Sequence, residues 1–62
     1  MCLSNAYETA NGIDKLICER VTSVEVEGNT VKLTNLFGAQ TVVPGIIKSI
    51  DLNNNIIRIQ TQ

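Results

Sequence analysis

Val24-Glu25-Val26-Glu27-Gly28-Asn29-Thr30-Val31-Lys32-Leu33 carries the clearest strand pattern in the 62-residue chain. Valine and glutamate alternate in its first half, which predicts a half-buried strand with Val24 and Val26 inward and both glutamates in solvent. The glycine-asparagine pair predicts a tight turn, after which Val31 and Leu33 face the same core. The stretch therefore predicts a β-hairpin and an all-β domain.

Two further strands are expected on the C-terminal side of the hairpin. Residues 40–43 form the first, and Pro44 marks a strand end, an edge or a bend because proline has no N–H to donate to a ladder. Residues 46–52 form the second, with Ile50 and Leu52 predicted to point inward. A turn at 53–55 then leads to a closing strand at 56–61, with Ile57 and Ile59 inward.

On the N-terminal side, residues 3–9 predict a first strand and Ala10-Asn11-Gly12 a turn, since Asn and Gly accept positive φ. Residues 15–18 predict a short strand, and the charged pair Glu19-Arg20 marks a bend or an exposed edge. The whole chain thus predicts one domain over residues 1–62. The expected architecture is a small, partly open barrel of SH3-like or Sm-like type with six to seven short strands.

The isoleucine pairs Ile46-Ile47 and Ile56-Ile57 interrupt the alternation, because they place apolar groups on both faces of a strand. One explanation is a homodimer interface that covers the outer member of each pair. The other is a local bulge that buries both members. A homodimer would also help a chain of this length, which buries only about 60% of its unfolded surface.

Composition argues against several function classes. A net charge of −1, five basic residues and only two aromatics offer neither the positive groove nor the stacking platforms of a nucleic-acid site. With no histidine, no paired base and nucleophile and no glycine-rich phosphate loop, the chain is not expected to be an enzyme. No signal peptide or apolar run of about 20 residues is found, so a soluble cytoplasmic protein is expected.

The start of the chain, Met1-Cys2-Leu3-Ser4, has the donors of a metal site. If Met1 is removed, the Cys2 thiolate and amine close a five-membered chelate ring, and the deprotonated amides of Leu3 and Ser4 extend it to a planar S,N,N,N set. If Met1 stays, its amine, the Cys2 amide and the thiolate still form two fused rings. Planar nitrogen ligation suits Ni(II) or Cu(II), and thiolate also accepts Cu(I) and Zn(II).

The second cysteine, Cys18, lies in the apolar run Leu16-Ile17-Cys18, where a free thiol usually behaves as a small hydrophobic group. A ligand role for it is the minor alternative. In that case both cysteines of one chain, with the pair of a partner chain, could bind zinc. No Cys-x-x-Cys is present, so one chain alone lacks the tetrahedral zinc pattern.

Several short motifs occur in the order and spacing of a known family. They are Met-Cys-Leu-Ser at the start, the hairpin at 24–33, Leu36-Phe37-Gly38, Val43-Pro44-Gly45 and Ile50-Asp51-Leu52. Together they resemble the CooT family of small nickel-binding accessory proteins associated with carbon monoxide dehydrogenase maturation. Some relatives are described instead as predicted RNA-binding proteins. The resemblance implies a Ni(II) site at Cys2, a homodimeric small β-barrel, and a nickel enzyme or its maturation machinery as the client.

Three functions therefore remain open. The first is a nickel chaperone or store that binds Ni(II) through Cys2 and the backbone nitrogens of Leu3 and Ser4. The second is a nucleic-acid-binding small barrel, which the scattered charges make a poor fit. The third is a protein-interaction module with no role for a metal.

Overall fold

Five β-strands make up the computed structural model, which describes residues 3–61. They are β1 (Ser4–Ala10), β2 (Ile13–Glu27), β3 (Thr30–Asn35), β4 (Gln40–Asp51) and β5 (Ile56–Thr61). Each strand pairs antiparallel with the next, and β5 closes the ring by pairing in parallel with β1. The predicted all-β small barrel is confirmed, although the ring is closed rather than partly open.

The strand number is five instead of six or seven because two of the predicted breaks lie inside strands. β2 runs through Glu19-Arg20: its first part pairs with β1, and its second part, from Val21 onward, pairs with β3. β4 likewise passes through Pro44-Gly45, pairing with β3 before this point and with β5 after it. Bends of this kind let one strand serve two sheets, which is how small barrels turn their corners.

The turns lie where the sequence predicts them. Asn11 and Gly12 both have positive φ, 55° and 77°, as a two-residue type I′ hairpin requires. Gly28 has φ 56° at the first position of the turn between β2 and β3. Asn55 has φ 56° in the turn before β5, where asparagine tolerates the left-handed region.

The core is aliphatic and fills the inside of the ring. Val31 and Leu33 from the hairpin and Ile57 and Ile59 from β5 are buried, as predicted. The complete buried hydrophobic set is Ala6, Cys18, Val21, Val31, Leu33, Val43, Ile57 and Ile59. Ile17, Val24 and Ile47 pack against it from positions that remain partly accessible.

Three residues predicted to point into the core are exposed instead: Val26, Ile50 and Leu52. Val26 lies in the second part of β2, which has β3 on one side and no second neighbour. Ile50 lies opposite Ile57, but this end of β4 pairs only with β5. Leu52 is in the turn after β4. The alternation predicts on which face of a strand a residue lies. Whether that residue is buried depends on how far the neighbouring strands extend to cover the face.

The two isoleucine pairs behave differently. In Ile46-Ile47 the first residue is exposed and the second packs against the core, as the alternation predicts for one member. In Ile56-Ile57 the second is buried and the first is half-buried. β4 also has an irregular register with β5 between Ile47 and Ser49, but this irregularity leaves Ile46 exposed, and the dimer interface stays a prediction.

Candidate functional site

The start of the chain leads directly into the barrel. Cys2, the predicted thiolate ligand, lies outside the described residues, whereas Leu3 and Ser4 are described. Ser4 opens β1 opposite Val21, and the next residue, Asn5, donates its N–H to the carbonyl oxygen of Asn55 at 2.9 Å. From Ser4 onward the backbone is therefore held by β2 on one side and by the turn before β5 on the other.

A shallow cleft of about 160 Å³ lies beside this entry point. Leu3 and Ser4 form one wall, and the residues opposite them are Val21, Thr22, Ser23, Val24 and Ile57. None of these side chains is ionisable. The lining of this cleft therefore consists of aliphatic groups and hydroxyls, without a carboxylate or an amine.

Among the hydroxyls in this cleft, the Thr22 Oγ1–H has partners of its own. It donates to the carbonyl oxygens of Thr34 and Asn35, at 3.2 and 3.4 Å. These bonds join β2 to β3 next to the irregular register between Val21 and Ser23. The wall of the cleft is therefore tied to the hairpin of the core.

Cys18 is 8% exposed and belongs to the core cluster. Its thiol has one long sulfur contact, 3.9 Å, to the carbonyl oxygen of Glu19. It packs as a small hydrophobic group, the major of the two interpretations of its sequence context. Over residues 3–61, no three or more His, Cys, Asp or Glu side chains are grouped to hold a metal ion.

Two ion pairs lie on the outside of the barrel in the described part of the chain. Lys32 Nζ lies 3.3 Å from Glu25 Oε1 across the hairpin, so these residues form an exposed cross-strand pair. Arg58 Nε donates to Asp14 Oδ2 at 3.1 Å, and Thr9 Oγ1–H donates to Asp14 Oδ1 at 2.7 Å. The hydrogen bond from Thr9, and after it that from Arg58, holds the pKa of the Asp14 carboxyl below its usual range.

Sequence reasoning missed the Thr9–Asp14–Arg58 network. Arg58 is 44 positions from Asp14, and only the parallel pairing of β1 with β5 brings the two together. Sequence spacing contains no signal for such a contact. The network joins β1, β2 and β5 and belongs to the structure of the barrel rather than to the terminal site.

Residues 3–61 contain no helix with the length and apolar character needed to cross a membrane.

The fold and the terminus together define a class of protein: a small all-β barrel whose N-terminal segment, next to Cys2, enters the sheet beside a cleft without ionisable groups. A family model described as "CO dehydrogenase accessory protein CooT" matches residues 1–60, and the chain belongs to this family. The resemblance of the short motifs is thereby confirmed, and the family description supports a role in the maturation of CO dehydrogenase.

A solved structure has the same fold. The crystal structure described as that of a "putative CooT" from Carboxydothermus hydrogenoformans superposes with a TM-score of 0.89. The match covers 98% of this chain and 98% of that chain, at 24% sequence identity. At this identity the match establishes the barrel and no more. No curated protein matches the sequence.

Proposed function

We propose that this chain is a nickel-binding accessory protein, a metallochaperone or nickel store, for the maturation of a nickel enzyme such as CO dehydrogenase. The observation that carries the proposal is the family match over residues 1–60, which includes Cys2 and the segment that enters the barrel. The protein would act in the cytoplasm, where thiols stay reduced. It would bind and pass on the metal without catalysing a reaction.

In the proposed site, Ni(II) is bound by the Cys2 thiolate and by backbone nitrogens at Cys2, Leu3 and Ser4. The Asn5 N–H donates to the Asn55 carbonyl oxygen, so the next amide along the chain is already used by the fold. The chelate therefore ends at Ser4 or before it. Three adjacent nitrogens and one thiolate give the planar geometry that Ni(II) favours.

Two features of the described chain favour the terminus over Cys18 and over the paired carboxylates. Cys18, the second thiol, is buried in the core, where it packs against aliphatic side chains. The carboxylates of Asp14 and Glu25 already have cationic partners. Thiolate and amide ligation also requires the loss of protons, so nickel affinity should fall as the pH is lowered.

We further propose that the protein is a homodimer. Val42 and Ile46, which both point outward from β4, are each at least half exposed, which is consistent with a surface that a second copy would cover. Light scattering at several concentrations tests this point independently of the metal. A mass of one chain at all concentrations would contradict it.

The test of the nickel site is a Ni(II) titration of the wild type and of Cys2→Ser, after mass spectrometry has shown whether Met1 is present. Thiolate-to-nickel charge-transfer absorption and equilibrium dialysis give the spectrum and the stoichiometry. We expect saturable binding in the wild type and its loss in Cys2→Ser, because the serine hydroxyl is a much poorer donor for this metal.

The matched control is Cys18→Ala, which removes the other thiol and leaves the terminus intact. We expect the charge-transfer band to stay in this variant, with a lower thermal stability from the loss of a buried side chain. Binding that persists in Cys2→Ser, or that disappears in Cys18→Ala while the barrel stays folded, would contradict a terminal site. Parallel titrations with Cu(II) and Zn(II) are needed, since Cu(II) binds most nitrogen and sulfur sites more tightly than Ni(II).

A further inference from the structure

The turn between β3 and β4 presents two large apolar side chains to solvent. Leu36 is 52% exposed and Phe37, the only phenylalanine of the chain, is 78% exposed. Single exposed apolar residues are ordinary on a protein surface. What distinguishes this pair is the backbone that holds it.

Asn35 fixes the turn through both its side chain and its main chain. Its Oδ1 accepts the N–H groups of Phe37 and Ala39 at 2.9 and 3.0 Å. Its carbonyl oxygen accepts the Gly38 N–H at 3.0 Å, and its own N–H donates to Ala39 O at 2.9 Å. The aromatic side chain is therefore displayed by an ordered loop, which lowers the entropy lost when a partner binds it.

Arg20 lies next to this turn and is linked to it by a backbone hydrogen bond from the Leu36 N–H to the Arg20 carbonyl oxygen, 2.9 Å. Arg20 has φ 55°, a left-handed conformation that is unfavourable for a long side chain. Strained residues of this kind cluster at functional sites. The exposed Arg20 side chain has no carboxylate at ion-pair distance within residues 3–61.

Phe37 and Arg20 border the same open cleft of about 400 Å³, together with Ile17, Glu19 and Thr41. An exposed aromatic ring beside an unpaired arginine is typical of a protein-interaction hot spot, and the half-buried Ile17 lines the same, mainly polar cleft. Glu19 in the same cleft leaves it without a net positive charge, and this disfavours a phosphate backbone as the occupant.

We propose that Phe37 and Arg20 form a docking surface for the client protein, which would offer an apolar pocket for the ring and a carboxylate for the guanidinium. The proposal rests on the proposed function for the identity of that client, CO dehydrogenase. None of the residues that line the docking surface lines the cleft of Leu3 and Ser4, although the Arg20 N–H donates to Asn5 Oδ1 at 3.3 Å.

The experiment measures binding of the full chain to purified nickel-free CO dehydrogenase by biolayer interferometry. Phe37→Ser is compared with Leu52→Ser, which removes an apolar side chain of similar exposure, 83%, from a different turn. We expect Phe37→Ser to weaken binding at least about 10-fold and Leu52→Ser to leave it within about 2-fold. Arg20→Gln should weaken binding about 3-fold and reduce its dependence on salt.

Equal losses in Phe37→Ser and Leu52→Ser, no loss in either, or no binding of the wild type would overturn the proposal. So would Phe37→Ser converting a dimer to a monomer in light scattering, which would make the turn a contact between copies. Binding of a single-stranded oligonucleotide that depends on Phe37 would replace a protein client with a nucleic acid. The nickel titration of Phe37→Ser separates the two proposals, because an unchanged charge-transfer band leaves the metal site standing whatever the docking result.

Discussion

The corner of β2 at Arg20 and the corner of β4 at Gly45 bend the two long strands of the barrel by different means. At the first, an exposed arginine adopts φ 55°, with its N–H donating to Asn5 Oδ1 and its carbonyl oxygen accepting from Leu36. At the second, a buried glycine with φ 154° lies against the backbone of Gln60. Both corners have backbone hydrogen bonds, since the Gly45 N–H donates to the Asn29 carbonyl oxygen at 2.6 Å, but only the Gly45 corner also has two backbones in close contact.

This difference determines what each corner tolerates. A side chain fits at Arg20 because it points into solvent, so only the backbone conformation is unfavourable there. At Gly45, a Cβ atom would overlap the carbonyl oxygen of Gln60, and Gln60 is held in β5 between β4 and β1. We therefore expect substitutions at Gly45 to be far more costly than substitutions at Arg20.

The largest effect is expected for Gly45→Ala. The new Cβ must displace the backbone of β5, which costs about 1–3 kcal/mol as overpacking, and the φ of 154°, which alanine rarely adopts, adds to this cost. A chain of this size has a free energy of unfolding of roughly 3–9 kcal/mol, so the loss is a large share of the total. Thermal unfolding followed by circular dichroism should show a Tm lower by about 10–20 °C, or no folded state.

Gly28→Ala is the control that separates steric overlap from backbone conformation. Gly28 also has positive φ, 56°, but a Cβ atom there would meet no atom within 4 Å. Only the conformational cost should apply, about 1 kcal/mol. If the two variants lost the same stability, close packing would not be what defines the Gly45 corner.

The two corners also show what the sequence could predict. Glu19-Arg20 and Pro44-Gly45 both signalled an irregularity at the right place. A local sequence signal cannot show whether a strand ends at such a point or continues and pairs with a different strand. The outcome depends on strands that are far away in sequence. The hairpin at 24–33, apart from the exposure of Val26, and the strand at 56–61 were predicted correctly because their turns and alternation are local properties.

The candidate site also has a part that the local sequence predicts and a part that depends on the tertiary structure. Cys2, Leu3 and Ser4 were predicted as ligands from covalent chemistry and from the family resemblance, neither of which needs the tertiary structure, and Cys2 lies outside the described residues. The cleft beside Leu3 and Ser4 is lined by β2 and β5, whose positions depend on ring closure. The exposure of Phe37 also escaped prediction, since Leu36-Phe37-Gly38 indicates a turn but not which side chains the barrel leaves uncovered.

A smaller effect, of opposite sign, is expected for Arg20→Asn. Asparagine accepts the left-handed region more readily than arginine does, so the unfavourable φ at this corner should cost less. We expect a stabilisation of about 0.5 kcal/mol, and a Tm higher by about 3 °C. Glu19→Asn, at the neighbouring exposed position without positive φ, should give no gain. A loss of stability in Arg20→Asn would mean that the side chain, and not only the backbone hydrogen bonds, supports the corner.

The smallest effect concerns the carboxylates at the outer ends of the same two strands. Hydrogen bonds from Thr9 and Arg58 lower the pKa of Asp14 at the start of β2, and those from the side chain and backbone of Asn54 lower the pKa of Asp51 at the end of β4. A carboxyl whose pKa is lower in the folded state stabilises the fold at pH values above its unfolded pKa, near 4. This stabilisation is lost as the pH falls through the folded value. The Tm should therefore decrease between about pH 5 and pH 2, and less steeply in Asp14→Asn and Asp51→Asn.

Because Asp14 is held by a residue 44 positions away and Asp51 by its own turn, Asp14→Asn should also lower the Tm at pH 7 more than Asp51→Asn does. The reverse order would show that the local turn, rather than the contact between β2 and β5, limits the stability of these strand ends.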